Sequence, residues 1–197
     1  MRWKWSAIPE TPGFEPEQDE RWQPLAEPAL ERFQSIAMAV MGMSLLPLLA
    51  MWGAAAEWAG ASPWSQSMVW ASLCFPLLIV AHEGIHLLAH PGAGRHAHSV
   101  LGGMPKQGLF FAMYLGEMSR ERLLLVLVAP LFALTLLPWL LCIAFRAYSP
   151  FWATISVVNG ISACGDLLSL WLVWRGTPRR AVVRNQGWKT WWRLPSG

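Results

Sequence analysis

Residues 81–87 read Ala-His-Glu-Gly-Ile-His-Leu and place two imidazoles and a carboxylate inside an otherwise apolar stretch. Residues four apart lie on one face of a helix, so His82 and His86 can hold one metal ion from the same side. Neutral imidazoles are good zinc ligands, and two of them leave room for a third ligand and a water. Zinc lowers the pKa of that water, and Glu83 can take its proton. This is the HExxH pattern of zinc hydrolases.

The composition is that of an integral membrane protein. The chain has 197 residues, of which 54% are hydrophobic and only 14% are charged, whereas soluble domains carry about 25% charged residues. The three cysteines all fall in apolar stretches and form no disulfide framework. We therefore expect the lipid bilayer as a partner and no nucleic acid.

Four apolar stretches reach the length of about 20 residues that a helix needs to cross a bilayer. The sequence therefore predicts an all-α integral membrane fold, and its four transmembrane helices cover residues 33–56, 66–90, 123–145 and 150–174. Between the second and third helices, residues 109–115 are apolar but too short to span, which predicts a strand, a hairpin or a re-entrant segment.

Two tails flank this membrane domain of residues 33–174. Residues 1–32 are polar and Pro-rich, a composition that predicts a largely irregular segment. Residues 175–197 form a basic, Trp-rich tail that we expect to rest on anionic headgroups. The two tails and the 91–122 connection hold fourteen of the fifteen Lys and Arg residues. This bias predicts that both termini are cytoplasmic, in a bacterial cytoplasmic (inner) membrane.

Asp166 is the acidic residue of the fourth predicted helix, and it is predicted at the same depth as the HExxH pattern. His82 and Asp166 each lie eight residues before the end of a helix, roughly 12 Å below the surface. A buried ionisable group needs a partner or a function. Asp166 would complete a zinc site with His82 and His86, one Zn²⁺ per chain, and leave a coordination position open. The alternative is a structural ion pair between Asp166 and a protonated histidine.

Other polar residues have weaker predicted roles. Asn159 and Ser162 lie on the helical stripe of Asp166 and could orient the metal ligands or a substrate carbonyl, or bond between helices. Gly160 and Gly165 would let the fourth helix approach the second. His90 is a reserve ligand, whereas His96 and His98 read as loop histidines. At the start of the third predicted helix, Glu117 and residues 120–122 (Arg120, Glu121 and Arg122) are expected to be solvated.

The whole pattern resembles the intramembrane zincins, meaning the site-2 protease group and especially the small family of "putative zincin peptidases". The resemblance covers roughly residues 70–175 and rests on the HExxH stretch, the Gly-rich connection with Tyr114 and Ser119-Arg120, the Ala129-Pro130 pair, and Gly165-Asp166. It implies that His82, His86 and Asp166 are zinc ligands and that Glu83 is the catalytic base. Site-2 proteases have an Asn-Pro stretch before an Asp-Gly pair, whereas here Gly160 follows Asn159.

The sequence thus predicts an intramembrane zinc metalloprotease that hydrolyses peptide bonds of membrane-embedded protein substrates through a zinc-activated water. An edge strand from residues 99–115 could hold the unwound substrate, and Asn159 could stabilise the oxyanion. The alternative is a non-catalytic membrane protein that uses zinc structurally or as a sensor. Haem binding and a serine hydrolase fit poorly, because facing histidines and a Gly-x-Ser-x-Gly turn are missing from the sequence. The oligomeric state is open.

Overall fold

The computed structural model describes residues 1–63 and 67–195. It is mostly helical and also contains two small sheets. The helices are α1 (Leu30–Ala59), α2 (Ser67–Leu73), α3 (Phe75–Ala89), α4 (Arg120–Leu131), α5 (Leu137–Phe145), α6 (Pro150–Ser162) and α7 (Cys164–Gly176), with a π-helical turn, Phe132–Leu136, joining α4 to α5. The strands are β1 (Arg2–Trp5), β2 (Gln23–Pro24), β3 (Ser99–Met104), β4 (Leu109–Tyr114), β5 (Met118–Ser119), β6 (Val182–Gln186) and β7 (Lys189–Arg193).

Within residues 1–63 and 67–195, two or three helical segments are long and apolar enough to cross a membrane, and the four predicted spans are not confirmed. Leu30–Ala59 and Arg120–Phe145 qualify directly, and α6 with α7 would make a third span bent by 50°. The predicted second span is divided at Cys74 into α2 and α3, and α3 alone has only 15 residues. The first residue of the predicted second span, Gln66, lies outside the described residues. The chain is thus consistent with a membrane protein in which two of the apolar stretches are broken.

The break between α6 and α7 follows from the local sequence. Residues 159–166 read Asn-Gly-Ile-Ser-Ala-Cys-Gly-Asp, which has two glycines and a serine within one turn of Ala163. Glycine is a poor helix former, and Gly and Ser are common where helices bend sharply. Ala163, between the two helices, has φ −74° and ψ 13° and is fully buried. The bend gives α7 a direction of its own, which matters for the site below.

Helix α6 packs closely against α1 and also against α2, which belongs to the second predicted span. A Cβ atom on Gly160 would come within 2.7 Å of Leu48 and 3.3 Å of Thr135, so glycine is needed for this approach. On the same side, the Trp52 indole donates to Ser156 Oγ at 2.8 Å. The fourth predicted helix thus approaches the second as expected, but Gly160 itself serves the contact with α1 and with the π-helical turn.

The prediction of an all-α fold is wrong, because the structure also contains two β-sheets. In the first, β3 lies between β1, which is parallel to it, and β4, which is antiparallel. A Cβ on Gly102 would collide with the Lys4 carbonyl, so this glycine lets β1 pair with β3. The β3–β4 hairpin is the segment that the sequence predicted between the second and third helices. The second sheet has the order β2-β7-β6-β5.

The two tails form one folded unit, here called the terminal cap (residues 1–29 and 182–193). Thr11 donates its N–H to Gln186 Oε1 at 2.8 Å and its hydroxyl to the Asn185 carbonyl at 2.7 Å. Phe14, Trp22 and Trp191 make a small buried core. The first tail has little regular secondary structure, as its prolines predict, but it is packed and not a free segment, because the β6–β7 hairpin supplies the surface that it lacks.

Two arginines at the start of α4 secure the ends of other helices. Arg120 is buried and donates to the Trp174 carbonyl at 2.8 Å and to Thr177 Oγ1 at 3.0 Å, at the C-terminus of α7. Arg122 donates to the carbonyls of Ala89 and His90 at 2.6 and 3.0 Å, at the C-terminus of α3. The expectation of a solvated boundary is wrong for Arg120 and Arg122, because the last carbonyls of a helix attract cations.

We expect Arg120→Gln to destabilise the protein by about 1–3 kcal/mol, since it leaves buried carbonyl and hydroxyl groups without their charged donor. Thermal unfolding of the purified protein in detergent measures this. The matched control is Arg179→Gln, an exposed position just after α7, which should unfold like wild type. Equal unfolding of the two variants would contradict the capping role.

Candidate metal centre

Helix α3 presents its two histidines on one face, as the four-residue spacing predicts. The His82 and His86 ring centroids lie 4.9 Å apart, and their Nε2 atoms are 3.2 Å from each other. His86 is only 5% exposed. An apolar helix with two polar side chains on one face must bury that face against other polar groups.

Asp166 comes from the first turn of α7 and meets both histidines. Its Oδ2 is 3.0 Å from His82 Nε2 and its Oδ1 is 3.3 Å from His86 Nε2. One ligand atom from each of the three residues lies within 4.8 Å of the others. The structure thus brings together the three residues that the sequence proposed as ligands.

The other nitrogen of each histidine has an acceptor as its partner. His82 Nδ1 is 2.9 Å from Asn159 Oδ1, and His86 Nδ1 is 2.8 Å from the Val126 carbonyl. In a neutral imidazole with an acceptor at Nδ1, the proton sits there and Nε2 carries a lone pair. Two such lone pairs and a carboxylate then converge on one point. A cation is the partner that suits three converging acceptors.

This donor set fits zinc. Two imidazole nitrogens and one carboxylate are a known catalytic zinc shell, with ligand distances that place neighbouring ligand atoms of a tetrahedron about 3.3 Å apart. The 3.2 Å between the two Nε2 atoms matches that edge length, and each of these nitrogens has one Asp166 oxygen at a similar distance, Oδ2 at 3.0 Å from His82 and Oδ1 at 3.3 Å from His86. The same distances also suit an ion pair with a protonated histidine, so the ligand roles remain a prediction, which metal analysis tests.

Glu83 lies beside this centre, and one of its two carboxylate oxygens is unpaired. Its Oε2 is buried and has no hydrogen-bond partner among the described residues. An unpaired buried carboxylate oxygen is costly unless something completes it. Glu83 lines the same cavity as the three candidate ligands, so a water or substrate N–H in that cavity could bind to it. This position is the one the sequence proposed for a general base.

Asn159 orients His82 but is not free to act as an oxyanion donor. Besides its contact with His82, its Nδ2 donates to the Pro130 carbonyl at 3.2 Å and to Thr135 Oγ1 at 3.0 Å. Both amide hydrogens are therefore used, which argues against the predicted oxyanion role. Ser162 lines the cavity but makes no hydrogen bond to the three candidate ligands in the described structure.

Two partners of the site were missed from the sequence, and both trace to Pro130. Proline has no N–H, so it leaves the carbonyl four residues earlier in a helix without its usual donor. That carbonyl belongs to Val126 and accepts from His86. The π-helical turn that follows carries Thr135, which is fully buried and links Asn159 to the Ser156 carbonyl. A proline in an apolar helix was the available signal.

The remaining histidines lie outside the ligand group. His90 is 1% exposed, and its Nδ1 lies 3.3 Å from Ser99 Oγ. His96 and His98 pack with His90 around the Tyr114 ring, and the Tyr114 hydroxyl is 3.4 Å from His96 Nδ1. Their contacts tie the connection after α3 to the β3–β4 hairpin, as expected for loop histidines.

The candidate centre opens into a cavity of about 640 Å³. Helices α1, α3, α4, α6 and α7 form part of its wall, strands β4 and β5 form another part, and the terminal cap also contributes. The cap residues that line it are Ile8, Glu27, Asn185, Trp188 and Thr190. The cavity is large enough for several residues of an extended peptide.

The outer edge of β4 faces this cavity. Leu115 N–H donates to the His98 carbonyl at 2.9 Å, and the register pairs Leu101 with Ala112. Hydrogen-bonded pairs alternate in an antiparallel ladder, so Phe110, Ala112 and Tyr114 point their backbone groups away from β3. The Ala112 backbone accordingly interacts with the side chains of Glu83 and His90 on α3.

Comparison with known proteins points to a peptidase family. A family model described as "Putative zincin peptidase" matches residues 75–181, more than half of the chain. An "Uncharacterized 24.7 kDa protein in gap 5'region" from Pyrococcus woesei is 29% identical over 114 residues, which cover 56% of this chain and 49% of that protein. The chain thus spans about half the length of the curated relative that it matches. No solved structure matches.

We expect purified wild type to hold about one zinc per chain, and both His86→Ala and Asp166→Ala to lose it, because each removes one of three ligands. Asn159→Ala should keep the zinc but bind it about 10–100-fold more weakly, since the second partner of His82 is lost. Metal analysis after dialysis against graded chelator measures both effects. His98→Ala serves as the control, and zinc retained by Asp166→Ala would contradict the site.

A separate prediction concerns Glu27 in the terminal cap. Burial raises the pKa of Glu27 to about 7 from its ordinary 4.5, although hydrogen bonds from Thr190 favour the ionised form. The folded state therefore binds this proton more tightly than the unfolded chain, and stability falls as pH rises from 4.5 to about 7. The free energy of unfolding of Glu27→Gln, relative to that of wild type, should therefore increase by on the order of 1–2 kcal/mol as the pH rises from 5 to 8. This range allows for the partial exposure of Glu27. Parallel pH curves would contradict this.

Proposed function

This chain belongs to the family described as "Putative zincin peptidase", whose model spans its residues 75–181, and on that premise we propose that it is an intramembrane zinc metalloprotease that cleaves membrane-embedded protein substrates. The observation that carries the proposal is the convergence of His82, His86 and Asp166 beside the orphaned Glu83 carboxylate. The membrane setting is supported by the two or three helices that are apolar enough to span.

An open coordination position favours catalysis over a structural zinc site. Structural zinc sites are closed by four protein ligands, whereas catalytic sites have three and leave the fourth position to water or substrate. Among the described residues, three side chains form the candidate group. His90, the reserve ligand, is directed to Ser99. These contacts support an enzyme rather than the non-catalytic sensor that was the alternative.

Zinc, when bound, would supply a Lewis acid that acidifies water and polarises the substrate carbonyl. Glu83 then takes a proton from the attacking water, whose oxygen forms a bond to the carbonyl carbon. The C–N bond breaks, and Glu83 returns the proton to the departing amine nitrogen. Asn159 and the Val126 carbonyl hold the two imidazoles in the tautomer and orientation that this arrangement needs.

The substrate is expected to bind in an extended form. A helix uses its own carbonyls in internal hydrogen bonds, so a membrane-spanning substrate must unwind before a carbonyl can reach the site. The outer edge of β4 would offer the Phe110 backbone groups and the Tyr114 N–H to such a segment, whereas the Ala112 backbone already interacts with Glu83 and His90 and the Tyr114 carbonyl accepts from Asn185. Strand addition there would satisfy the unwound backbone and bring it past Glu83.

Two finer assignments belong to the same proposal. The arrangement of ligands and of an edge strand beside an apolar helix supports a relationship to site-2 proteases. The distribution of Lys and Arg supports cytoplasmic termini, in a bacterial inner membrane. In that orientation the terminal cap lies on the cytoplasmic side of the cavity.

We expect Glu83→Gln to lower peptide hydrolysis by about 10²–10⁴-fold, because the amide cannot shuttle the proton. It should retain about one zinc per chain, since Glu83 is not among the expected ligands. Mass spectrometry of a pool of single-span peptides, incubated with zinc-loaded protein in detergent, measures cleavage. Glu57→Gln, an exposed acid at the end of α1, is the matched control.

The same measurement separates the two candidate functions. Cleavage by wild type and Glu57→Gln but not by Glu83→Gln supports the peptidase. If all three bind zinc and none cleaves any peptide, or if Glu83→Gln cleaves at the wild-type rate, the proposed mechanism is wrong and the non-catalytic alternative is favoured.

A further inference from the structure

The cavity contains one carboxylate that the proposed chemistry does not use. Three acidic residues line it, and Asp166 and Glu83 belong to the candidate centre. The third is Glu27, which precedes α1 in the terminal cap. Of the described residues that line the cavity, none is Lys or Arg. An apolar cavity with one unassigned carboxylate has an unmatched negative charge.

Glu27 is fixed in place from one side. Thr190 donates its backbone N–H to Glu27 Oε2 at 2.7 Å, and its hydroxyl lies 2.8 Å from Oε1. Each carboxylate oxygen can accept a further hydrogen bond. Lys189 attracts Glu27 electrostatically from an exposed position, but Glu27 forms no ion pair within the described part of the chain. The carboxylate is therefore held rigidly and can still bind a cation.

The position of Glu27 relates it to the substrate path. The Asn185 amide donates to the Tyr114 carbonyl at 3.4 Å, at one end of the β4 edge, and Asn185 Oδ1 lies 3.1 Å from the Thr190 hydroxyl. Thr190 in turn holds Glu27. This short chain of contacts places Glu27 beyond the Tyr114 end of β4, whereas Glu83 interacts with Ala112 near the middle of the strand.

We propose that Glu27 is a specificity-determining residue that receives a Lys or Arg side chain of the substrate, in a subsite beyond the Tyr114 end of β4. The proposal rests on the proposed peptidase function. An extended segment advances about 3.3 Å per residue, and Tyr114 is two residues from Ala112, so the basic residue would lie at least two residues from the scissile bond. Glu27 acts by binding the substrate and takes no part in the proton transfer.

The chemistry of membrane proteins supplies the ligand. Membrane spans are flanked on their cytoplasmic side by an excess of Lys and Arg, and the terminal cap lies on that side in the proposed orientation. A carboxylate at this end of the cavity would select a span that enters with its basic flank toward the cap. Because the surroundings are apolar and partly shielded from water, one ion pair has more effect there than on an open surface.

A purely structural role makes a different prediction. Glutamine at position 27 can accept from the Thr190 N–H and bond to its hydroxyl, so it preserves the tie between the first tail and β7. Only the charge is lost. Glu31→Gln removes the same charge from an exposed position in the first turn of α1 that does not line the cavity, which makes it the matched control.

The test measures binding of two synthetic single-span peptides that differ at one end of the apolar segment, where one has three lysines and the other three glutamines. Both are titrated at pH 8 against zinc-loaded protein in detergent, in the Glu83→Gln background so that no peptide is cleaved. At this pH Glu27, whose pKa is about 7, is ionised. We expect the lysine peptide to bind about tenfold more tightly than the glutamine peptide. Glu27→Gln should abolish this preference, and Glu31→Gln should retain it.

A charge reversal guards against a folding effect. Glu27→Lys should prefer a third peptide, with three glutamates in place of the lysines, whereas a misfolded cap would lose affinity for all peptides equally and would contradict the inference. Equal binding of the lysine and glutamine peptides by protein with Glu27 intact also overturns it. Cleavage by protein with Glu83 intact is scored separately: cleavage without a lysine preference refutes only the subsite, whereas a preference without cleavage refutes only the peptidase function.

Discussion

The His82 ring is held by one residue before and one residue after the break between α6 and α7, and the rest of the site depends on this arrangement. Asn159, in the last turn of α6, contacts one ring nitrogen, and Asp166, in the first turn of α7, contacts the other. On a straight helix, residues seven apart lie on the same face but about 10 Å apart along the helix axis. The 50° bend at Ala163 lets both reach a single imidazole. Two glycines in an apolar segment therefore serve the geometry of the candidate centre.

Buried polar groups in this protein form a connected set. His86 is held by the Val126 carbonyl, which Pro130 leaves without a helical donor. Asn159 is held by Thr135 in the π-helical turn that follows. Arg120 and Arg122 bind the carbonyls at the ends of α7 and α3, the two helices that carry the candidate ligands. In a low-dielectric interior, unpaired groups are costly, so these contacts both stabilise the helices and fix the ligand positions.

The terminal cap shows how segments that look unsuited to folding can complete a site. Neither tail has enough apolar residues to form a core, yet together they bury Phe14, Trp22 and Trp191 and close one wall of the cavity. The cap thus brings Glu27 and Thr190 to the same cavity as the candidate zinc ligands. In the proposed function, this wall beside the β4 edge would help to admit an unwound segment and to exclude other chains.

The sequence by itself determined the local chemistry. The four-residue spacing put His82 and His86 on one face, Asp166 as the lone acid of its predicted helix required a partner, and the short apolar stretch at residues 109–115 predicted a strand, a hairpin or a re-entrant segment. Only the tertiary structure decided where helices break, because Gly and Ser permit a bend without requiring one. It alone showed that Arg120 and Arg122 cap distant helices and that Asn159 donates its amide hydrogens to Pro130 and Thr135. These are long-range contacts between segments far apart in the chain, which no local pattern encodes.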